Sequence, residues 1–229
     1  MFYFDSTYIY LILPAAIICS IAQMMVSSSF NKYSRVANAR RLTGADVARR
    51  ILDMNGLTDV RIERVSGNLT DHYDPRAKVV RLSDGVYGES SVAAVGVAAH
   101  ETGHAIQHAV GYSPLKLRNA IIPITQFGSS LAMPLFLAGM IFSFGPLMSL
   151  GIIFFSFATL FQLVTLPVEF NASRRALATL EESEMLYGNE ITGAKKVLTA
   201  AALTYVGALL MSLVQLLRLV IIAGRNRDN

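Results

Sequence analysis

The sequence predicts a mainly α-helical integral membrane protein with about four transmembrane helices and a small cytoplasmic α+β unit. Two observations predict this fold class. Of the 229 residues, 53% are hydrophobic and only 16% are charged, whereas a soluble domain typically carries about 25% charged residues. The apolar residues are also concentrated in stretches of about 20 residues, the length that a helix needs to cross a bilayer core. This composition excludes a disordered chain and argues against a free cytosolic enzyme.

The first apolar stretch, residues 8–26, contains no charged residue and is followed by a basic segment that begins at Lys32. A cleaved signal peptide has its basic residues before the apolar run. Here Asp5 precedes the run and the positive charge follows it. We therefore expect residues 1–30 to be a retained transmembrane anchor with its N-terminus outside, rather than a cleaved signal.

Two further apolar regions complete the predicted spans. Residues 119–168 are fifty residues without an acidic or basic side chain, interrupted near the middle by Gly145-Pro146. Since Gly-Pro is a turn signal, this region predicts a transmembrane helical hairpin. Residues 197–229 predict a C-terminal transmembrane helix and tail, with Arg218 close enough to the end to reach the interface. A tilted, re-entrant or interfacial last helix is the alternative, because a full span leaves Arg225 and Arg227 outside.

Basic residues predict which segments are cytoplasmic. Residues 31–118 hold thirteen of the twenty Lys and Arg residues, and residues 169–196 hold four more. By the positive-inside rule both segments are cytoplasmic. Because the basic residues lie beside the apolar runs, they match attraction to anionic lipids, and we expect no binding to nucleic acid.

The sequence predicts a small α+β unit in the cytoplasmic segment 31–118. Apolar spacing and capping residues indicate two helices, and alternation indicates strands. The predicted elements are a helix over 43–55 ended by Gly56, strands over 60–65 and 78–82, and a helix over 90–110 capped by Ser90 or Ser91.

The last of these helices contains the sequence His100-Glu-Thr-Gly-His104. Histidines four residues apart project from one helix face and can bind one ion. Glu101, next to the first histidine, is placed to hold a water molecule rather than the metal. In the zincin signature, zinc lowers the pKa of water to about 7 and polarises the scissile carbonyl, while the glutamate transfers protons. The motif predicts zinc ligands at His100 and His104 and a general base at Glu101.

The residues around the motif support this prediction. The alternative is an amphipathic helix with two surface histidines and a solvated glutamate. Most residues from Ser91 to His104 are small, however, which favours close packing of this helix. Burying the three polar side chains is costly unless something pairs them, and a metal ion supplies that pairing.

A third ligand is expected from outside this helix. His108 fails on geometry, because eight residues place it about 12 Å along the helix axis from His100. Glu169 is the better candidate: it is the first charge after fifty uncharged residues, in the loop that we expect to return the hairpin to the cytoplasmic side. The alternative is an interfacial glutamate that pairs with Arg174 or Arg175. Candidates to orient the ligands follow it directly: Asn171, Ser173, Arg174 and Arg175.

Taken in order, the motifs resemble those of the YugP-type neutral zinc metallopeptidases of bacterial membranes. The resemblance covers nearly the whole chain and rests on Leu69-Thr-Asp-His-Tyr-Asp-Pro75, Val79-Val-Arg-Leu-Ser83, the small-residue run before His100-Glu-Thr-Gly-His104, and Pro167-Val-Glu-Phe170. It implies a gluzincin-like site in a zincin-like catalytic unit, with His100, His104 and Glu169 on one zinc ion per chain and Glu101 as general base. The plan is also similar to that of HtpX-type membrane proteases.

The resemblance leaves three points open. Where an aspartate is expected two residues after the third ligand, this chain has Asn171; if that aspartate tunes a histidine in the family, activity is reduced here. Residues 79–83 either pair with an extended substrate or form an ordinary strand that covers the helix. The oxyanion is stabilised by His72, Tyr73, Tyr112 or an arginine, and the sequence does not choose among them.

The expected function is a membrane-embedded zinc metallopeptidase that hydrolyses peptide bonds of membrane or membrane-proximal proteins. We expect a multi-pass protein of the bacterial inner membrane with its active site on the cytoplasmic side. Whether it forms a homo-oligomer or binds a membrane partner protein is left open. The alternative is a non-catalytic, zinc-stabilised membrane adaptor. A transporter is disfavoured, because the predicted spans offer few polar groups beyond glutamines.

Overall fold

The computed structural model describes residues 6–227 and is mainly helical; Asp5 lies outside the described residues. A π-helical turn, Tyr8–Ile12, leads into α1. The elements that follow are α1 (Leu13–Tyr33), α2 (Gly44–Met54), β1 (Arg61–Val65), β2 (His72–Asp74), β3 (Val79–Ser83), α3 (Asp84–Tyr87), α4 (Val92–Ala109), α5 (Ser113–Ile141), α6 (Gly145–Glu182) and α7 (Asn189–Arg227).

The chain forms two compact units. One unit contains residues up to Ala22, Leu117–Pro167 and the chain from Thr204 onward. The other contains Gln23–Lys116 and Val168–Leu203. Within the described residues, four helices are long and apolar enough to cross a membrane: Tyr8–Tyr33, Ser113–Ile141, Gly145–Glu182 and Asn189–Arg225. The predicted number of apolar membrane helices is therefore confirmed.

Apolar and polar contacts both join the helices of the first unit. Phe136, Met148 and Leu219, from α5, α6 and α7, pack in one buried cluster. The hydroxyls of Thr159 and Ser212 lie 2.7 Å apart and so link α6 to α7. Interhelical hydrogen bonds of this kind are suited to an apolar environment, where water is absent as a competing partner.

The bend between α5 and α6 differs slightly from the prediction. It consists of residues 142–144, with Ser143 in a left-handed conformation (φ 51°), whereas Gly145-Pro146 begins α6. Proline is well suited to the first turn of a helix, because the N–H that it lacks would have no partner there. The Gly-Pro pair thus marks the start of a helix rather than the middle of a turn.

The expectation of a returning loop at Glu169 is wrong, because α6 continues through Pro167 and ends at Glu182. A proline inside a helix removes one backbone hydrogen bond and usually kinks or breaks it. Helices at membrane depth nevertheless tolerate such prolines, since neighbouring groups satisfy the released carbonyl. Glu169 is therefore held on a helix rather than on a loop.

The second unit contains a three-stranded sheet with the strand order β1-β3-β2. β1 pairs with β3 in parallel, and β2 pairs with β3 in antiparallel fashion. β2 was not predicted from the sequence, because its three residues are polar and lie among turn-forming residues. Since β3 is paired on both sides, the interpretation of residues 79–83 as an edge for substrate pairing is wrong.

Helix α4 lies in the core of this unit. It is capped by Ser91, whose side chain accepts a hydrogen bond from the backbone N–H of Ala94. Val95 and Ala99 pack in a buried cluster that includes Ile51 of α2. A second cluster joins α4 to the sheet and contains Ala94, Ala98, Ala105, Val80 and Leu82. The small residues of α4 thus allow close packing on several sides, as the sequence indicates.

Candidate metal centre

Two histidines of α4 lie side by side, one helical turn apart. The ring centroids of His100 and His104 are 4.8 Å apart, and the rings meet edge to face. Each side chain retains only 14% of its exposure. The spacing in the sequence places both rings on the same helix face because four residues are close to one full turn.

The third side chain of the group is Glu169 of α6, which is 4% exposed. Its Oε2 lies 3.3 Å from Nε2 of His100 and 3.5 Å from Nε2 of His104. The two helices approach closely because Gly103 faces Ala172: a β carbon on Gly103 would lie 2.8 Å from the backbone oxygen of Ala172. A missing side chain on α4 thus lets the carboxylate reach both rings.

The three side chains fit a zinc ion by chemistry and by spacing. Two imidazole nitrogens and one carboxylate oxygen can be chosen that all lie within 4.8 Å of one another. Ligands about 2.0–2.1 Å from zinc in a tetrahedron lie about 3.3–3.4 Å apart. The observed distances of 3.3 and 3.5 Å from the carboxylate oxygen to the two rings agree with this value. Three protein ligands are also the number that catalytic zinc sites use.

The opposite nitrogen of each ring contacts a polar side chain. Nδ1 of His100 lies 3.1 Å from the hydroxyl oxygen of Ser173, and Nδ1 of His104 lies 3.0 Å from Oε1 of Gln107. Partners on Nδ1 orient an imidazole so that Nε2 faces the metal position. Gln107 was missed as a site residue, although its position three residues after His104 on a helix is a signal that was available.

The electrostatic surroundings of His104 change the pKa of its ring. Burial by itself lowers the pKa of this ring, but the hydrogen bond to Glu169, followed by the negative charges of Glu101 and Glu169, outweighs burial and raises the pKa above its ordinary value. The negative charge of Glu101 therefore acts on His104. The assignment of Glu101 as the general base stays a prediction.

The remaining predicted residues divide between α6 and the sheet. On α6, Oδ1 of Asn171 accepts hydrogen bonds from Gln107 and Arg175, whereas Arg174 is exposed. On β2, the Tyr73 hydroxyl lies 3.1 Å from Nδ1 of His108.

His72 and Tyr112 have local contacts. Nδ1 of His72 donates to the backbone oxygen of Thr70, and Nε2 of His72 lies 3.3 Å from Nη1 of Arg81. Tyr112 follows the end of α4, where its backbone N–H donates to the carbonyl of Gln107. The assignment of the oxyanion group to one of His72, Tyr73 and Tyr112 stays a prediction.

The four apolar helices and the His-His-Glu group define a helical membrane protein with a candidate zinc centre. The chain belongs to the family described as "Putative neutral zinc metallopeptidase", whose model matches residues 8–224. It is 52% identical over 221 residues to the protein of Bacillus subtilis (strain 168) named "Putative membrane protease YugP", which covers 96% of this chain and 98% of that protein. The family resemblance of the motifs is thereby confirmed. No solved structure matches the chain.

Proposed function

We propose that the protein is a membrane-embedded zinc endopeptidase whose ion is held by His100, His104 and Glu169. The observation that carries this proposal is the convergence of one buried carboxylate oxygen on Nε2 of both histidines, at 3.3 and 3.5 Å. Membership of a zinc metallopeptidase family supports the same ligand chemistry. The substrates are peptide bonds of membrane or membrane-proximal proteins, since the chain that carries the site also carries four apolar helices.

The reaction that we propose divides between the ion and the protein. A bound zinc ion would supply Lewis acidity, which would polarise the substrate carbonyl and lower the pKa of a water molecule. Glu101 accepts a proton from the attacking water, whose oxygen adds to the carbonyl carbon, and delivers that proton to the amine that leaves when the C–N bond breaks. Ser173 and Gln107 hold the imidazole rings in place through Nδ1. The small residues of α4 and α6 keep the carboxylate of Glu169 close to both rings.

The position of an extended substrate follows from the sheet. β2 is a terminal strand in the order β1-β3-β2 and carries Tyr73, which bonds to His108 of α4. We therefore assign substrate pairing to the outer edge of β2 rather than to β3. His72, Tyr73 and Tyr112 remain the candidates for stabilising the oxyanion, together with an arginine.

The side of the membrane that we propose for the site is inferred from the distribution of basic residues. Thirteen of the twenty basic residues lie in segment 31–118, and four lie in segment 169–196. The positive-inside rule then places both segments, and the site, on the cytoplasmic side of the bacterial inner membrane. The anchor 1–30, the hairpin 119–168 and the C-terminal region 197–229 form the membrane part in this proposal. A homo-oligomer or a membrane partner protein stays a prediction.

A conservative change at the general base tests the mechanism. In Glu101→Gln we expect zinc content equal to that of the wild type and a loss of peptide cleavage of about 10²–10⁴-fold, because the amide cannot accept the proton. Zinc is measured by elemental analysis and cleavage with an unfolded or membrane protein substrate. Glu89→Gln, at an exposed position, is the matched control and should cleave normally.

Two outcomes would contradict the proposal. Cleavage by Glu101→Gln at the normal rate would show that another group is the base. Bound zinc in the wild type without cleavage of any unfolded or membrane substrate would favour the zinc-stabilised adaptor instead.

A further inference from the structure

A chain of hydrogen bonds leads from α6 to one ring of the metal centre. Nε of Arg175 donates to Oδ1 of Asn171 over 2.9 Å. Nε2 of Gln107 donates to the same Oδ1 over 3.0 Å and to the backbone oxygen of Val168 over 2.8 Å. Oε1 of Gln107 lies 3.0 Å from Nδ1 of His104. These contacts connect a guanidinium group to a candidate metal ligand through two amides.

The direction of every bond in this chain is determined by Arg175. A guanidinium group only donates hydrogen bonds, so the atom of Asn171 that it contacts must be the oxygen. Gln107 must then present its NH₂ group to that oxygen and to the Val168 carbonyl, since both only accept. The oxygen of Gln107 is left to face His104, and it requires a proton on Nδ1 of that ring. The lone pair of His104 is then on Nε2, the nitrogen that faces Glu169.

We propose that Arg175, Asn171 and Gln107 are positioning residues that select the tautomer of His104 whose Nε2 can bind a metal ion. The inference rests on the proposed function only in treating His104 as a ligand. Gln107 is fully buried, so its amide cannot exchange these partners for water. The carboxylate of Glu169 favours a proton on Nε2, and the amide chain opposes that preference from the other side of the ring.

The partner of the other histidine lacks this selectivity. Ser173 contacts Nδ1 of His100, and a hydroxyl can either donate or accept there. The selection of a tautomer is therefore specific to His104. This hydrogen-bond chain is also compatible with asparagine at position 171. The position requires an acceptor oxygen for Gln107 and Arg175, and both asparagine and aspartate supply one.

The tautomer can be measured without metal by ¹⁵N NMR of histidine-labelled, full-length protein in nanodiscs. The Glu169→Ala background removes the carboxylate that competes for the Nε2 proton, and an alkaline pH keeps the ring neutral. We expect the His104 signal, assigned by its absence in His104→Gln, to show a proton on Nδ1. Adding Gln107→Met should shift it to the proton on Nε2 that free imidazole side chains prefer. A tautomer that is the same with glutamine and methionine at position 107 would overturn the proposal.

A second measurement is the zinc affinity of proteins that retain Glu169, determined by competition with a chromophoric chelator. Loss of a group that orients a ligand typically weakens metal binding about 10–100-fold, and we expect this range for Gln107→Met, Asn171→Leu and Arg175→Met. Asn171→Asp and Arg175→Lys keep the directions of the bonds and should remain within a few-fold of the wild type.

The two measurements separate this inference from the proposed function. Equal affinity in all five variants would overturn the role in metal binding. A wild type that binds no zinc would refute the proposed function, while the NMR result would still decide whether the amide chain selects the tautomer. If Gln107→Met fails to fold, the half-buried positions Asn171 and Arg175 carry the same comparison.

Discussion

The buried face of α4 and the exposed surface around the sheet both contain short polar contacts, but the two regions differ in access to water. At α4, Gln107 and Glu169 are 0% and 4% exposed. At the sheet surface, Arg64 and Asp84 lie 2.7 Å apart with side chains that are 64% and 46% exposed. Exposed pairs contribute little because water and salt replace them, whereas a buried polar group that loses its partner cannot be rehydrated. Burial rather than distance therefore indicates which contacts matter.

The largest effect in this comparison is expected from removing the buried carboxylate. In Glu169→Ala we expect zinc to be lost or bound far more weakly than the ~10–100-fold change that follows loss of an orienting group, because a ligand itself is removed. Elemental analysis and chelator competition measure this. Glu181→Ala, an exposed glutamate of the same helix, is the matched control and should keep the ion. Full zinc content in Glu169→Ala would exclude Glu169 as the third ligand.

The close contact of α4 with α6 should give the next largest effect. In Gly103→Ala the new methyl group meets the backbone oxygen of Ala172 at 2.8 Å, so the helices must move apart at a cost of about 1–3 kcal/mol. A lower melting temperature and weaker zinc binding should appear together. Gly96→Ala is the control: its β carbon lies 3.4 Å from that of Ala194, which is ordinary contact, and alanine favours a helix by about 1 kcal/mol. Equal destabilisation by both changes would contradict the role assigned to Gly103.

The smallest effect on stability is expected at the exposed ion pair of Arg64 and Asp84. The hydrogen bond from Arg64, followed by that from the backbone of Gly67, lowers the pKa of Asp84 below its ordinary value. Because the pKa is lower in the folded state, the stabilisation is present above the unfolded value of about 3.9 and is lost as the pH falls through the folded value. Asp84→Asn should therefore lower the melting temperature slightly at neutral pH, and the difference should vanish in acid.

This measurement uses metal-free protein, so that release of zinc in acid does not contribute. Added salt should reduce the difference at neutral pH, since exposed charges are screened. A difference between Asp84→Asn and the wild type that grows as the pH falls would contradict the assigned sign.

Local patterns account for what could be predicted about the site. The spacing of His100 and His104 placed both rings on one helix face, and the absence of charge over fifty residues before Glu169 drew attention to that carboxylate. The sequence did not reveal that Glu169 lies on a continuous helix or that Gln107 links His104 to α6. Both depend on which residues of α6 face α4, and Gly103 and Ala172 set that contact through their small size.

The fold likewise contains elements that were predicted from the sequence and elements that were not. The number of apolar helices and the helices α2 and α4 followed from composition, period and caps, while the strand β2 did not. Its three residues gain their strand conformation from pairing with β3, a contact that local propensity does not report. The same pairing overturned the interpretation of β3 as a free edge.

Local patterns in the sequence were enough to identify the four apolar helices, the histidine pair with its adjacent glutamate, and the family. These features are local or compositional: a helix turn fixes which residues share a face, and the bilayer thickness fixes the length of a span. The tertiary structure, in contrast, brings one oxygen of Glu169 within 3.5 Å of both rings and joins Arg175 to His104 through Asn171 and Gln107. Those relations join residues about 60–70 positions apart, and they arise from the packing of one helix against another, which no local pattern encodes.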